Sequence, residues 1–469
     1  MSAPGIAVAP EGRRELRLIP ALEKNPQLVA LAQTPPGKLL LLAVFSVVLA
    51  VLQPSWLRVT PFLVLTSFFP RHRRAVVSLG TGVLALALPN LRGFDPRQTG
   101  ATLVVFSFAA VLCTGVRSAS GKRRLNRPVS LLICVVLAYS AIIGWRPGLF
   151  AEDSFAWRVA EALATYQWFI GFALLDRLST SADPTPLQVG RFMPFWGSTV
   201  TPFPKGAANL RKIEAHDGES LAITQLKGVK LVLWCLVLAA LYQLFRSVVY
   251  EHLGVLEMSS ALQRIADGQS PGWRACWASV LCNFADQLFF LTVLGHRIIA
   301  CCRMAGFSAL RNTYRPFESR TVAEFWNRYY YYFKELLVDF FYYPAFIRYF
   351  KKHPWLRRNF AVFAAVFFGD MYYHFARTPE LVRDHGFQRA LGMMSIYGVQ
   401  CAMLAVAICI SQSRSRGRSE GKGPVARWLA VTRVVAFYCF MFAFVDESFR
   451  FSLGVHLKFF GALLGLPVT

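Results

Sequence analysis

Acidic residues are scarce in this chain: 26 Asp and Glu stand against 51 Lys and Arg, a formal net charge of +25. Charged residues of both signs make up only 16% of the 469 residues, while 55% are hydrophobic and the mean hydropathy is +0.40. That balance excludes an ordinary pair or trio of soluble domains and points to an all-α polytopic membrane protein. The sequence also lacks a Cys-x-x-Cys pair, a Gly-x-x-x-x-Gly-Lys-Ser/Thr loop and any paired-carboxylate or Cys₂His₂ spacing. A structural metal site and nucleotide hydrolysis are therefore not expected. The ten cysteines lie in or beside apolar runs and read as small buried hydrophobes rather than a disulfide framework. Residues 1–38 are too polar and proline-rich for a secretory signal and read as a cytoplasmic N-terminal segment.

The basic excess would raise the question of nucleic acid in a soluble protein, but here it has a different distribution. Lys and Arg come in bursts between apolar stretches: Arg13 to Lys38, Arg71 to Arg74, Arg117 to Arg127, Arg177 to Lys230, Arg297 to Arg358 and Arg414 to Arg427. Cytoplasmic loops retain basic residues, so this alternation predicts a cytoplasmic N-terminus, with the loops Arg117 to Arg127, Asp176 to Lys230 and Ser411 to Arg427 on that face. A lipid bilayer is the partner this implies, and no nucleic acid.

A stretch of about 20 apolar residues crosses the hydrocarbon core, and shorter ones survive where protein surrounds them. Candidates run Leu39 to Leu52, Leu57 to Phe69, Ala75 to Leu91, Ala101 to Val116, Val129 to Trp145, Ala156 to Leu175, Val229 to Tyr250, Trp273 to Ile299, Asn359 to Phe375, Phe387 to Ile410, Trp428 to Val445 and Phe451 to Leu466. The expectation is a single bundle of eleven to twelve spans over residues 39–469. Between Asp176 and Lys230 the apolar runs stop, and Pro184, Pro186, Pro194, Pro202 and Pro204 prevent one continuous helix. A cytoplasmic loop with short amphipathic pieces is predicted over 176–230, and a polar, mobile one over 411–427.

The most informative segment begins at Arg311 and reads RNTYRPFESRTVAEFWNRYYYYFKELLVDFFYYPAFIRYF. Phe325, Tyr329, Phe333, Leu336, Leu337, Phe340, Phe341 and Pro344 recur at helical spacing, with Arg328, Glu335 and Asp339 on the other side. The pattern predicts an in-plane amphipathic helix between Thr321 and Phe350, too charged for a lipid-facing span.

Here the chain resembles a family, the membrane-bound O-acyltransferases, especially the bacterial branch that acylates alginate, teichoic acid and similar surface polymers. That branch carries a D-F-(S/A)-G-Y-like motif in a span, then N-(F/Y)-x-x-P-(F/Y)-x-S, then E-F-W-x-R-W-H. This sequence has Asn283-Phe284-Ala285-Asp286, then Asn312, Pro316, Phe317 and Ser319, then Glu324-Phe325-Trp326-Asn327-Arg328. The resemblance covers roughly Trp273 to Val399. It departs from the family at Tyr329-Tyr330, where Trp-His is usual, so the first of two characteristic histidines is replaced by Tyr330. His374 stands at the place of the second, with Tyr373 and Phe375 where Trp and Gly are usual.

The resemblance implies acyl transfer from a cytoplasmic thioester, acyl-CoA or an acyl carrier protein, to a hydroxyl of a polysaccharide, lipid-linked or small-molecule acceptor. It implies a bacterial inner (plasma) membrane, an accessory or acyl-carrier partner protein, and no permanently bound cofactor. Such a transfer needs a group to take the hydroxyl proton as the carbonyl is attacked, and an imidazole does this near neutrality. His374 is that candidate. Asp370, four residues earlier on the same helical face, is placed to accept the ring's other N–H; this pairing comes from spacing, not from the family. Asn327, Arg328 and Tyr330 are candidate supporting groups, and Trp326, Glu335, Asp286 and His296 candidate channel residues.

Plainer readings stand beside these. His374 also fits a structural histidine within the bundle, Tyr329 to Tyr332 also fit interfacial aromatics, and Asp286, Glu335, Asp339, Asp370, Asp446 and Glu447 also fit partners of Arg or Lys inside a bundle. The twelve basic residues from Arg297 to Arg358 fit either topology or the phosphates of an acyl-CoA. The competing function is a catalytically inactive relative, or an unrelated polytopic transporter or scaffold. A transporter would carry broken spans repeated in its two halves, and no such repeat is found.

Overall fold

The computed structural model describes residues 18–87, 95–118, 128–177, 183–197, 201–414, 423–444 and 449–467. Asp446, Glu447, residues 119–127 of the expected loop 117–127 and residues 415–422 of the expected loop 411–427 lie outside them, while 411–414 and 424–427 belong to helices. The fold is all-α; among the described residues the sole extended pairing is one antiparallel bridge between Glu214 and Phe307. Among the described residues six helices are long and apolar enough to cross a bilayer: Pro35–Leu52, Pro96–Gly115, Gly218–His252, Trp273–Met304, Ser395–Ser413 and Pro424–Phe442. Shorter apolar helices occupy Val129–Trp145 and Leu453–Leu463.

Of the remaining apolar stretches, some form shorter helices and one forms a long helix buried by protein; proline contributes to the interruptions. The Leu57 to Phe69 stretch is divided between a tight turn of helix, Pro54–Val59, and Thr60–Phe68. Ala156 to Leu175 falls in the helix Phe155–Arg177, most of whose residues are buried by protein, Trp168 and Ile170 among them. It is a core helix; its acids are paired, Glu161 with Arg158 at a partly exposed position and Asp176, just past the apolar run, with Arg211.

Two long helices run antiparallel at the centre. Gly218–Arg246 opens on a reciprocal cap: the Asp217 carboxylate accepts from Ser220 N at 2.7 Å and the Ser220 hydroxyl accepts from Asp217 N at 3.2 Å. That cap starts the helix well before Lys230, the end of the expected loop. Its partner is Trp273–Met304, and three contacts fix the register: Gln225 Nε2 donates to Met304 O (3.1 Å), Cys235 Sγ to Val293 O (3.3 Å), and Arg246 pairs with Asp286 (2.7 Å).

The described parts of 176–217, residues 176–177, 183–197 and 201–217, are packed rather than looped out. Phe192, Phe195, Trp196 and Phe203 are all at most 3% exposed, and two short helices, Thr185–Val189 and Ala207–Ile213, punctuate the segment. Its charged residues neutralise one another: Arg211 reaches Asp176 at 2.6 Å and Asp183 at 2.8 Å, and Arg191 reaches Asp183 at 2.5 Å. Their mutual pairing is what lets a segment so rich in ionisable groups be buried.

The expected amphipathic helix exists in pieces: Val322–Tyr329, Tyr331–Leu337, a wide turn Val338–Tyr342, and Tyr343–Arg348. Phe325, Tyr329, Phe333, Leu336, Leu337 and Phe340 are buried, as their spacing predicts. The break falls at Tyr330 (φ −134°, ψ 69°). Residues 312–314 cause it by claiming the backbone there: Tyr314 N donates to Arg328 O (2.8 Å), Thr313 Oγ1 to Tyr329 O (2.8 Å), Tyr331 N to Asn312 O (3.0 Å) and Tyr332 N to Asn312 Oδ1 (3.2 Å). With these groups satisfied from outside, helix continuity is not required.

The strip 312–314 approaches so closely because the Trp273–Met304 helix has glycine beneath it. A Cβ at Gly295 would sit 2.9 Å from Asn312 Cβ and 3.0 Å from its Nδ2. Asn312 is fully buried, so it has nowhere to retreat. Gly295→Ala is expected to destabilise the protein by about 1–3 kcal/mol through overpacking, read as a lowered melting temperature of the detergent-solubilised protein. An unchanged melting temperature would mean that the strip is not held tightly against the helix.

Candidate functional site

Three distant parts of the chain converge on a row of hydroxyls. Thr201, fully buried in the packed segment, has its Oγ1 2.7 Å from the Tyr373 hydroxyl and 3.3 Å from the Tyr330 hydroxyl. Arg377, one turn beyond Tyr373, has its guanidinium 5.1 Å from that ring's centroid and donates to the Tyr373 hydroxyl at 3.5 Å. Phe333 and Trp168 close the row with ring centroids 4.6 and 5.9 Å from Tyr373. Burial, with Tyr373 as neighbour, pushes the Tyr330 phenol well above its ordinary range, so it remains protonated and acts as a hydrogen-bonding group.

His374 follows Tyr373 but points another way. Its Nε2 is 3.3 Å from Asp370 Oδ1, and its ring lies on Tyr397 with centroids 4.1 Å apart. Spacing alone placed Asp370 and His374 on one face, and the structure has them in contact. The contact is not aligned as a hydrogen bond, however, and Asp370 Oδ1 is buried without another aligned partner. Asp370 is 2% exposed, and Cys401 of the neighbouring helix also faces it. Immediately before Asp370 the helix widens over Ala364–Gly369, a local unwinding that re-aims the residues after it.

The other expected site residues are dispersed. Asn327 is exposed. Arg328 pairs with Glu324 at 2.8 Å and Glu318 at 3.6 Å, a surface ladder rather than a substrate contact. Trp326 is buried in the core with Phe333 at 5.9 Å. Asp286 is taken by Arg246, and Glu335 by Lys334 and Lys205. Lys205 also reaches Asp339 at 2.9 Å. Burial works against the Lys205 ammonium, but the charges of Asp339 and Glu335 outweigh it and hold the lysine above its ordinary value. Burial raises the Asp339 carboxyl.

Of the four channel candidates only His296 lines the large cavity among the described residues. That cavity, about 920 Å³, lies between the two central antiparallel helices under the strip 311–318. Trp234, Leu238, Leu288 and Phe289 form its apolar part, and Lys230, His296, Arg311 and Arg315 its polar end. No cluster of His, Cys, Asp and Glu suited to a metal ion occurs among the described residues, and all ten cysteines are free.

Thr201, Tyr373 and Tyr397 are the residues that sequence reasoning missed. Nothing in the local sequence marks Thr201, while Tyr373 appears there only as an unusual neighbour of His374. Fold and helix composition together define the class: a multi-pass, all-α integral membrane protein. No protein-family model matches the chain, and no curated protein sequence matches it.

Proposed function

We propose that this protein is an integral-membrane O-acyltransferase that moves an acyl group from a cytoplasmic thioester to a hydroxyl. The observation that carries the reading is the meeting of the two segments that resemble the acyltransferase motif. Tyr330 and Tyr373, 43 residues apart, come together through Thr201, and His374 is the residue that follows Tyr373 in the chain. In this reading His374 takes the acceptor's proton, Asp370 holds the ring, and the Tyr330, Thr201 and Tyr373 hydroxyls hold the two motif segments against each other. Attack of the acceptor oxygen on the thioester carbonyl forms the ester, and the leaving thiolate is protonated by the imidazolium so generated. A bacterial inner membrane with a cytoplasmic N-terminus, and acyl-CoA or an acyl carrier protein as donor, belong to the same proposal.

The test is transfer of radiolabelled acyl groups from acyl-CoA or acyl carrier protein to hydroxyl acceptors by membranes containing the protein. Tyr330→Phe is expected to retain transfer within about tenfold of wild type, as fits loss of one neutral hydrogen bond of roughly 0.5–1.5 kcal/mol. A complete loss in that variant would make the phenol obligatory and contradict the assigned roles. Absence of thioester-dependent transfer by the wild type, across acceptor classes, would leave a non-catalytic membrane protein.

A further inference from the structure

The cavity between Gly218–Arg246 and Trp273–Met304 has a polarity gradient along the helix axes. Because the two helices are antiparallel, Lys230 and His296 lie at one level, and Leu238, Ala285 and Phe289 lie two to three turns away at the other. A rise of about 1.5 Å per residue makes this separation roughly 10–16 Å. The apolar end is made by two helices that are themselves long and apolar enough to cross a bilayer.

The polar end holds more positive charge than its acids neutralise. Glu23 pairs with Lys230, and Glu318 with Arg315 at 3.3 Å. Among the described residues Arg311 has no carboxylate within ion-pair distance; it faces the Tyr314 ring at 5.7 Å and feels the charge of Glu23 from further off. Arg303, 8% exposed just behind it, donates to the Ala309 carbonyl at 2.7 and 2.9 Å and to no acid. A buried guanidinium such as Arg303 and a half-buried one such as Arg311, with one shared and distant acid between them, are costly, and an anion offsets that cost. His296 also lines the cavity; it is only 5% exposed, and its Nδ1 is closed off from the open space, with the Thr292 backbone one turn earlier as the ring's neighbour.

We propose that this cavity binds one phosphate-bearing lipid, with the phosphate at Arg311, His296 and Lys230 and the hydrocarbon along Trp234, Leu238 and Phe289. Arginine and imidazole donors suit phosphate oxygens, and the apolar end takes a chain that water would reject. The site stands apart from the Tyr330 and His374 residues, so it holds whether or not the protein transfers acyl groups.

The experiment uses the full chain in an uncharged maltoside detergent, with phosphatidylglycerol as probe, read by native mass spectrometry and by melting temperature. Wild type is expected to retain one phosphatidylglycerol and to melt higher with it. Arg311→Gln should bind about tenfold or more weakly, the scale of a lost charge-assisted hydrogen bond. Ala285→Trp, which fills the tail end, should lose binding while melting like wild type without lipid, and it decides the matter if Arg311→Gln does not fold. Diacylglycerol, which lacks the phosphate, and inorganic phosphate, which lacks the tail, should each give no comparable shift. Equal retention by wild type and Ala285→Trp would overturn the proposal. So would a diacylglycerol effect as large as that of phosphatidylglycerol, or an equal effect of inorganic phosphate alone.

Discussion

Replacing His374 with alanine should lower acyl transfer by about 10²- to 10⁴-fold, the usual contribution of a positioned proton acceptor. The phenols, threonine and guanidinium around the converging segments do not take a proton readily at neutral pH, and the one carboxylate there, Asp370, is buried against the His374 ring. The loss should appear in turnover at saturating donor and acceptor, since a base acts in the transition state and not in binding. Removing the ring also deprives Tyr397 and Asp370 of a neighbour, so a decline in folded protein has to be separated from a decline in chemistry. His374→Gln serves for that: it keeps a polar side chain of similar length and cannot act as a base. Both variants inactive at wild-type melting temperature is the expected result. Wild-type transfer by either one would dispose of His374 as the base.

The second large effect concerns stability. Arg211→Met should destabilise the protein by about 3–5 kcal/mol, the cost of stranding a buried charge. Two carboxylates depend on this guanidinium. The Asp176 side chain is 1% exposed and keeps only Gln188 as a donor once Arg211 is gone, and Asp183 keeps Arg191 and a long contact to Arg74. The double variant Arg211→Met, Asp176→Leu should recover part of the loss, because the stranded charge is then absent too. The network also sets a pH dependence. Burial pushes the Asp183 carboxyl up, but hydrogen bonds from Arg211 and Arg191 and their charges outweigh it and hold the group below its ordinary value of 3.8. A depressed carboxylate stabilises the fold fully above that value and loses its contribution as pH falls through the folded-state value. Acid melting curves of wild type and Arg211→Met should therefore converge below about pH 4. Parallel curves at every pH would show that the network contributes nothing of this kind.

Where the outcome depended on local pattern, the sequence was readable. The spacing of Phe325, Phe333, Leu336 and Phe340 named the buried face, and the separation of Asp370 and His374 put them in contact. Features set by distant segments were not readable. The break at Tyr330 is invisible locally, because Asn312 and Thr313 impose it from outside. Asp176, Asp183, Arg191 and Arg211 read as ordinary loop charges until the chain folds them against each other. The cavity requires the register of two antiparallel helices, and from that register His296 acquires its position. Proline content correctly forbade a single helix over 176–230, but it said nothing about whether the irregular chain would be buried.

The separation along the chain between partners in the hydroxyl row bears on how the protein is made. Thr201 waits for Tyr330, 129 residues later, and for Tyr373, 172 residues later. During synthesis its segment therefore emerges long before its partners. The bonds within that segment are short in comparison, 8 residues from Arg191 to Asp183 and 28 from Arg211 to Asp183. A nascent chain can close these first, so that the ion pairs hold the region in shape until the later helices arrive and the hydroxyl row is completed.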